Sequence, residues 1–369
     1  MASAGPEPVP PEGEAATRAL LARSAALLLA NGQTTEGVRL AVARLSVALK
    51  RPATVRARWG ELALHTPGDA VAFVEVEPAG IDITRVVAAE AVVDAVCAGV
   101  LGPAAALDRL DAIERAPVVP LLRFAPMAAA GAAALSVIFG ADDVGTVVLV
   151  AVVAGLGAYL RRAAAGLGGN PLLQPAVASL LAGLAAGLAV RAGLPVTYRL
   201  LAVCPCMVLV PGLHFLNGMI DLVRARIPLG AARLMLASLI VLAICTGLLA
   251  GLALAGASFP EAGAVRPVSL ALDVLASGIA VTAYATFFNM PWRTVGAPVA
   301  TGMVAHALRW ELLQLGVGVP MGAFGATLVA GATMALVSRR LRLPFGAAAF
   351  ASVVSLIPGI YMFHAASGL

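Results

Sequence analysis

The second two-thirds of the chain is a succession of long apolar runs separated by short polar stretches. A transmembrane helix needs about 20 apolar residues, and each run approaches that length. The pattern therefore predicts a mostly α-helical, polytopic membrane region. Nine spans are expected, near residues 119–140, 144–160, 172–190, 197–220, 230–256, 268–290, 295–312, 319–337 and 344–366.

The first 117 residues have the patterns of a small soluble domain. Apolar residues recur at helical spacing over 34–49, and a preceding helix over 15–30 could pair with it. Residues 54–65 and 70–77 predict two strands joined by a turn at 66–69, and helices are expected over 81–99 and 103–115. The Pro- and Glu-rich residues 1–14 predict a disordered tail. We therefore expect an α+β domain over 15–117, a five-span membrane module over 118–257, and a module of about four spans over 267–369.

Composition and charge support this division. The chain of 369 residues is 60% hydrophobic and only 12% charged, far from the roughly 25% charged residues of a soluble protein. Residues 1–117 carry a net charge of −3, and residues 118–369 carry +8. Since the excess of basic residues lies in the apolar part, it indicates membrane topology rather than nucleic-acid binding.

The arginines between the predicted spans indicate an orientation. With the N-terminal domain in the cytoplasm, nine arginines fall in inside loops, Arg233 among them, and four fall outside. Cytoplasmic loops carry an excess of Lys and Arg, so a cytoplasmic N-terminus is expected. When these thirteen arginines are assigned to loops, Arg123 is the one arginine expected within a predicted span.

The two membrane modules have similar sequences at a fixed offset. LVPGLHFLNG over 209–218 resembles LIPGIYMFHA over 356–365, and the Pro-Gly pairs lie 147 residues apart. The same offset relates Tyr159 to His306 and Arg162 to Arg309. Because the first half has five predicted spans, the second half starts on the opposite side of the membrane. The halves are then predicted to be inverted repeats, as in many secondary transporters.

Each Pro-Gly pair predicts a helix break inside a span, which is tolerated only where protein or water surrounds the freed backbone groups. The helix that follows presents free N–H groups and a positive dipole end, suited to a carboxylate. We therefore predict a zwitterion site between the two broken helices. Its expected residues are Pro211, Gly212, His214 and Asn217 in the first half, with Pro358, Gly359, Tyr361 and His364 in the second.

Two acids are candidates for proton coupling. Asp221 continues the helical face of His214 and Asn217 at the i, i+3, i+7 spacing, although it lies in the cytoplasmic loop if the break merely ends a short span. Asp273 lies about one turn into the sixth predicted span, and it faces either the cavity or the outer interface. Intramembrane acids often act as proton relays.

Other chemistry has weaker signals. Cys204-Pro205-Cys206 resembles a copper-pump motif, but the chain has no P-loop and only a small soluble part. The soluble domain has no nucleophile elbow and no H-E-x-x-H motif. We expect neither an enzyme nor a metal or cofactor site.

Four stretches in order resemble the threonine/serine exporter family. They are LLLANGQTTEGVRLAVARLSVAL, LVPGLHFLNGMIDLVRARIPLGAARL, FFNMPWRTVGAPVATG and SRRLRLPFGAAAFASVVSLIPGIYM. The resemblance implies an inner-membrane secondary transporter that exports L-threonine and L-serine by proton antiport. Its partners would be the amino acid, protons and lipid, and self-association into a homo-oligomer is compatible with the sequence.

One departure from the family leaves alternatives open. Family members usually continue past the second Pro-Gly segment with a final helix, whereas this chain stops at Leu369. It is then expected to be a nine-span variant or a truncated, non-transporting form. A transporter of another small metabolite is a further alternative, but a dicarboxylate would require more buried arginine than Arg123 supplies.

Overall fold

A computed structural model describes residues 12–166, 170–194, 197–258 and 268–356. The chain divides into two compact units, Met1–Pro117 and Val118–Leu369. In the described part, the first unit is α+β and the second is entirely helical.

The first unit packs four helices and one small sheet around an aliphatic core. Its elements are α1 (Glu12–Ala30), α2 (Thr35–Ala48), β1 (Thr54–Ala57), β2 (Gly60–His65), β3 (Ala72–Val76), α3 (Ile83–Cys97) and α4 (Pro103–Arg115). The core is formed by the buried faces of these elements, including Leu20, Leu28, Leu45, Leu62, Ile83 and Leu110. Residues 12–14, which the sequence placed in the tail, belong to the first turn of α1.

Local sequence explains where several of these helices begin. The Thr34 side chain accepts from the Gly37 N–H at the start of α2, and Asp82 accepts from the Arg85 N–H at the start of α3. These caps satisfy backbone donors that a helix cannot pair internally. In α4 a proline occupies the first turn, where its missing N–H costs nothing.

The sheet has three antiparallel strands in the order β1-β2-β3, not the two strands that the sequence predicted. Leu62 pairs with Ala57 on one side and with Val74 on the other. The predicted strand 54–65 is interrupted because Gly60 adopts φ +85°, which turns the chain back after Trp59. Glycine reaches positive φ at no steric cost, whereas a side chain there is strained.

The described part of the second unit contains ten α-helices and one short 3₁₀ turn. The helices are α5 (Leu121–Ile138), α6 (Val144–Ala165), α7 (Leu173–Arg191), α8 (Tyr198–Met207), α9 (Gly212–Val223), α10 (Ile227–Leu254), α11 (Leu270–Phe287), α12 (Trp292–Gln314), α13 (Val319–Leu341) and α14 (Phe345–Val353). The 3₁₀ turn Val354–Leu356 continues α14.

Six of these helices are long and apolar enough to cross a membrane, and a seventh span results if the bent pair α8 and α9 counts as one. Every one of the nine predicted spans overlaps a helix, but α12 is not among the six, and α14 is a shorter apolar helix. The mostly helical, multi-span character is confirmed. The number nine remains a prediction.

The helix order of this unit repeats along the chain. Four helices of the first half start 149, 148, 146 and 147 residues before four helices of the second half, the pairs being Leu121 and Leu270, Val144 and Trp292, Leu173 and Val319, and Tyr198 and Phe345. The offsets agree with the 147 residues between the Pro-Gly pairs. They support an internal duplication, while the inverted relation of the halves stays a prediction.

Small residues bring the helices of this unit close together. Gly183 of α7 and Gly251 of α10 lie so near the opposite backbone that a Cβ on either would overlap the carbonyl oxygen of Leu248 or of Leu180. Gly131 of α5 faces Ala283 of α11, and a Cβ added at Gly131 would lie only 2.6 Å from the Cβ of Ala283. Such close backbone approach is how transmembrane helices gain packing energy without a hydrophobic drive between them.

Candidate functional site

The chain breaks between α8 and α9, at the Pro-Gly pair that the sequence singled out. The two helices are bent by 54° relative to each other. Pro205 lies inside α8, and Pro211 is the residue before α9, so backbone donors are missing on both sides of the break. The bend therefore has a local cause in the sequence.

Two aromatic side chains from the second half lie against this break. The Tyr284 hydroxyl of α11 donates to the Met207 carbonyl oxygen at 2.8 Å, which satisfies an acceptor at the end of α8. The Phe350 ring of α14 covers Gly212, where any Cβ would overlap it. Phe288 joins the two, with its ring centroid 6.4 Å from Tyr284 and 5.9 Å from Phe350. In this conformation aromatic rings cover the first residue of α9.

The polar residues of α9 share one buried face. His214, Asn217 and Asp221 are 8%, 4% and 1% exposed, as their spacing on the helix suggests. Asp221 lies within α9 and not in a loop. Their proposed roles in substrate binding and proton coupling stay predictions.

Asp221 faces two arginines. Its Oδ2 lies 3.1 Å from Nη1 of Arg233 in α10, and its Oδ1 lies 3.4 Å from Nη1 of Arg226. Arg233 is only 2% exposed. The sequence interpretation was wrong to place Arg233 in a loop and to leave Arg123 as the one arginine within the spans. The available signal was its position three residues inside the predicted span 230–256.

A second buried polar cluster lies in the other half. The Asp273 Oδ2 of α11 lies 3.0 Å from Nδ1 of His306 in α12, and Nε2 of His306 lies 2.8 Å from the Ser355 hydroxyl. All three residues are at most 3% exposed. Asp273 is therefore buried within the membrane unit, and whether it faces a cavity or lies at the depth of the outer interface stays a prediction.

This cluster can hold and transfer a proton. With the imidazole neutral, Nδ1–H donates to the carboxylate and Nε2 accepts from the serine hydroxyl; with the imidazole protonated, both nitrogens donate. The carboxylate and the serine hydroxyl together fix the orientation of the ring. Sequence reasoning found Asp273 but missed both partners, although His306 had appeared in the repeat.

Comparison with protein families agrees with this architecture. A family model for threonine/serine exporters, ThrE, matches residues 19–255. A second model, ThrE_2, described as threonine/serine exporter, matches residues 273–369. This chain belongs to the threonine/serine exporter family. No curated protein and no solved structure matched it.

Membership of this exporter family, together with several apolar helices, makes the chain a multi-pass membrane transport protein. The two family matches together cover both the first unit and the membrane unit. The second half of the predicted zwitterion site, Pro358, Gly359, Tyr361 and His364, lies outside the described residues. Within the described part of the exporter, no group of three or more His, Cys, Asp or Glu residues could hold a metal ion.

Proposed function

We propose that this protein exports L-threonine and L-serine across a bacterial inner membrane in exchange for protons, with its first unit in the cytoplasm. The family supplies the substrate class. The observation that carries the coupling is the buried contact of Asp273 with His306 in the membrane unit. Ionisable groups are costly inside a membrane, and they commonly mark ion pathways and proton relays.

The broken helix is the proposed substrate site. A break at membrane depth frees backbone groups that can bind the charged ends of a zwitterion. The Gly212 N–H now donates to the Val210 carbonyl, and the His214 N–H to Pro211. Since Phe350 also covers Gly212, the solute reaches α9 only after α14 moves. In the proposed alternating-access cycle, this conformation would be a closed state.

Asp273 is the better proton carrier of the two predicted acids. Asp221 lies beside two guanidinium groups and is already engaged in ion pairs with both. Asp273 is paired with a histidine, whose ordinary pKa lies near neutral pH and whose charge can change in the cycle. Protonation of this pair from outside would accompany release of the solute, and the protonated carrier would then return to the inward-facing state.

Efflux from preloaded proteoliposomes tests the function. Radiolabelled L-threonine and L-serine should leave faster when a proton gradient is imposed, at a rate that follows the gradient. Asp273→Asn should lower gradient-driven efflux by about tenfold or more while leaving threonine–threonine exchange intact. The matched control is Asp142→Asn, since Asp142 is exposed near the start of α6.

Each result is decisive for a different part of the proposal. Gradient-driven efflux that is normal in Asp273→Asn would remove the Asp273 and His306 pair from coupling. Exchange without any gradient dependence in the wild-type protein would leave a uniporter of the same substrates. No transport of either amino acid by folded protein would overturn the substrate assignment.

A dicarboxylate is a second candidate substrate. The sequence argument against it rested on a shortage of arginine within the spans. Arg161 of α6 lines a cavity in the membrane unit, which weakens that argument. Malate and succinate therefore belong in the same efflux assay.

A further inference from the structure

A cavity lies beside the broken helix, and its walls include none of the residues of α9. Its walls come from α5, α6, α7, the end of α8 and α11, and they include Phe124, Arg161, Pro205, Leu209 and Phe287. The other wall residues are small or apolar, and Arg161 is the one charged residue among them. The volume is about 20 Å³, room for about one water molecule. This volume is far below the roughly 300–1,000 Å³ of a typical small-molecule pocket, so the cavity can be at most one corner of a site that opens further.

Arg161 has no acidic partner among the described residues. Its guanidinium carbon lies 5.8 Å from the centre of the Phe124 ring. Neighbouring Arg162 lies 5.2 Å from the same ring centre, but its Nη2 also donates to the Val119 carbonyl at 2.6 Å. Three aspartates of the membrane unit already have other partners. Asp221 faces Arg233, Asp273 faces His306, and Asp143 caps α6.

The Arg161 guanidinium is partly buried and has no acidic partner among the described residues, so it is available to pair with an anion. Arginine presents donors in a planar fork that matches a carboxylate with two parallel hydrogen bonds. The Phe124 ring face can hold that plane in position. An oxyanion that enters the cavity would therefore find a complementary partner.

We propose that Arg161 binds the carboxylate of the exported solute. This inference rests on the proposed function and deepens it by assigning the acid group to Arg161, in place of the backbone N–H groups at the start of α9. The same cavity is lined by Pro205, Val208 and Leu209, where α8 ends and the break begins. The C-terminal end of a helix carries partial negative charge, so it suits the ammonium of the same amino acid. The present volume admits only part of an amino acid, and the break must open further for the whole solute.

The test is ligand binding to the purified full-length protein in detergent, followed by thermal unfolding. L-threonine should stabilise the wild-type protein in a saturable manner, and L-threoninamide, which lacks the carboxylate, should not. Arg161→Gln should raise the apparent Kd for L-threonine by about tenfold or more, as expected for loss of a charge-assisted hydrogen-bonded pair. Arg161→Lys keeps the charge but not the fork and should recover only part of the affinity.

Arg191→Gln is the matched control, because Arg191 lies at the end of α7 and reaches the Ala255 carbonyl. It should bind L-threonine as the wild-type protein does. A measurement on the wild-type protein avoids any dependence on the folding of variants. Phenylglyoxal modifies exposed guanidinium groups, and L-threonine but not L-threoninamide should protect Arg161, as read by mass spectrometry of its peptide.

The outcomes separate this inference from the transport function. L-threonine binding and transport that persist in Arg161→Gln would overturn the subsite and leave the exporter function standing. Protection of Arg161 by malate or succinate, without any effect of L-threonine, would keep the carboxylate subsite and overturn the proposed substrate. Protection by phosphatidylglycerol in mixed micelles, but by no carboxylate, would overturn the proposal in favour of a lipid phosphate.

Discussion

Exchanging Arg233 for methionine removes one charge of a buried pair and leaves the other behind. Arg233 and Asp221 are 2% and 1% exposed, and their charged atoms lie 3.1 Å apart. At an effective dielectric constant of about 20, charges at this distance attract by about 5 kcal/mol. Much of that attraction is offset by the cost of burying both groups, so the pair as a whole contributes little net stability.

Removing one member of the pair costs more stability than the pair as a whole contributes. Removing one partner of a buried ion pair costs about 3–5 kcal/mol, because the remaining charge has lost its compensation. Arg226 stays 3.4 Å from Asp221 and is itself partly exposed, so we expect the lower end, about 3 kcal/mol. For a unit of this size that corresponds to a loss of roughly 6–12 °C in apparent Tm.

The assay is thermal unfolding of the full-length protein in detergent, at one fixed scan rate, for Arg233→Met, Asp221→Asn and the double variant. Each single variant should unfold at a clearly lower temperature, and the double variant should recover most of the loss because no uncompensated charge remains. Arg224→Met is the control, since Arg224 is exposed in the same segment. Transport by the double variant then decides whether Asp221 also carries protons.

Two results would refute this reasoning. Arg233→Met that unfolds within about 2 °C of the wild-type protein would mean that water or lipid headgroups solvate Asp221, since an uncompensated buried charge is expected to cost more. A double variant that loses the sum of the two single losses would mean that the two residues act independently.

Two further predictions concern packing and acid stability. Gly251→Ala should destabilise the membrane unit by about 1–3 kcal/mol, because the new Cβ would overlap the Leu180 carbonyl. Gly331→Ala should be neutral or slightly stabilising, because nothing lies within 4 Å of its new Cβ. Thermal unfolding of the two variants tests this difference. In the first unit, the hydrogen bond from Arg51 lowers the pKa of Asp69, so its stabilising contribution is present above the pKa of about 3.9 in the unfolded chain and is lost as pH falls through the lower folded value. Asp69→Asn should therefore remove this dependence of stability on pH. Hydrogen exchange of residues 60–76 in the full-length protein would then give the same protection factors throughout the acidic pH range.

Local pattern was sufficient for most helices of this protein, because helix formation depends on periodicity and caps that lie close together in sequence. The predicted helix 103–115 has the bounds of α4. The interrupted strand was missed because the apolar alternation runs on through Arg58 and Trp59, and only Gly60 marks the turn. A single glycine is a weak signal within a strand.

Local sequence pattern could not predict which residues contact one another in the candidate site. Tyr284 and Met207 are 77 residues apart, and His306 and Ser355 are 49 apart, so no window of the sequence contains both members of either pair. Arg233 was missed for a different reason, since a charge near a span end is usually assumed to be solvated. Burial of that charge depends on its partner across the helix interface, which composition does not specify.

The arrangement of α14 provides a physical route between the proposed substrate site and the proposed proton site. Phe350 lies over Gly212 at the start of α9, and Ser355, which contacts His306, is only five residues further along the same helical segment. A helix moves as a nearly rigid body, since bending it breaks its internal hydrogen bonds. If α14 shifts far enough to uncover Gly212, the hydroxyl of Ser355 must also move relative to His306. Loss of that hydrogen bond removes one of the two polar contacts that hold the imidazole between Ser355 and Asp273. The contacts of the Asp273 and His306 pair and the opening of the break would then depend on one another, which is the coupling that an antiporter requires.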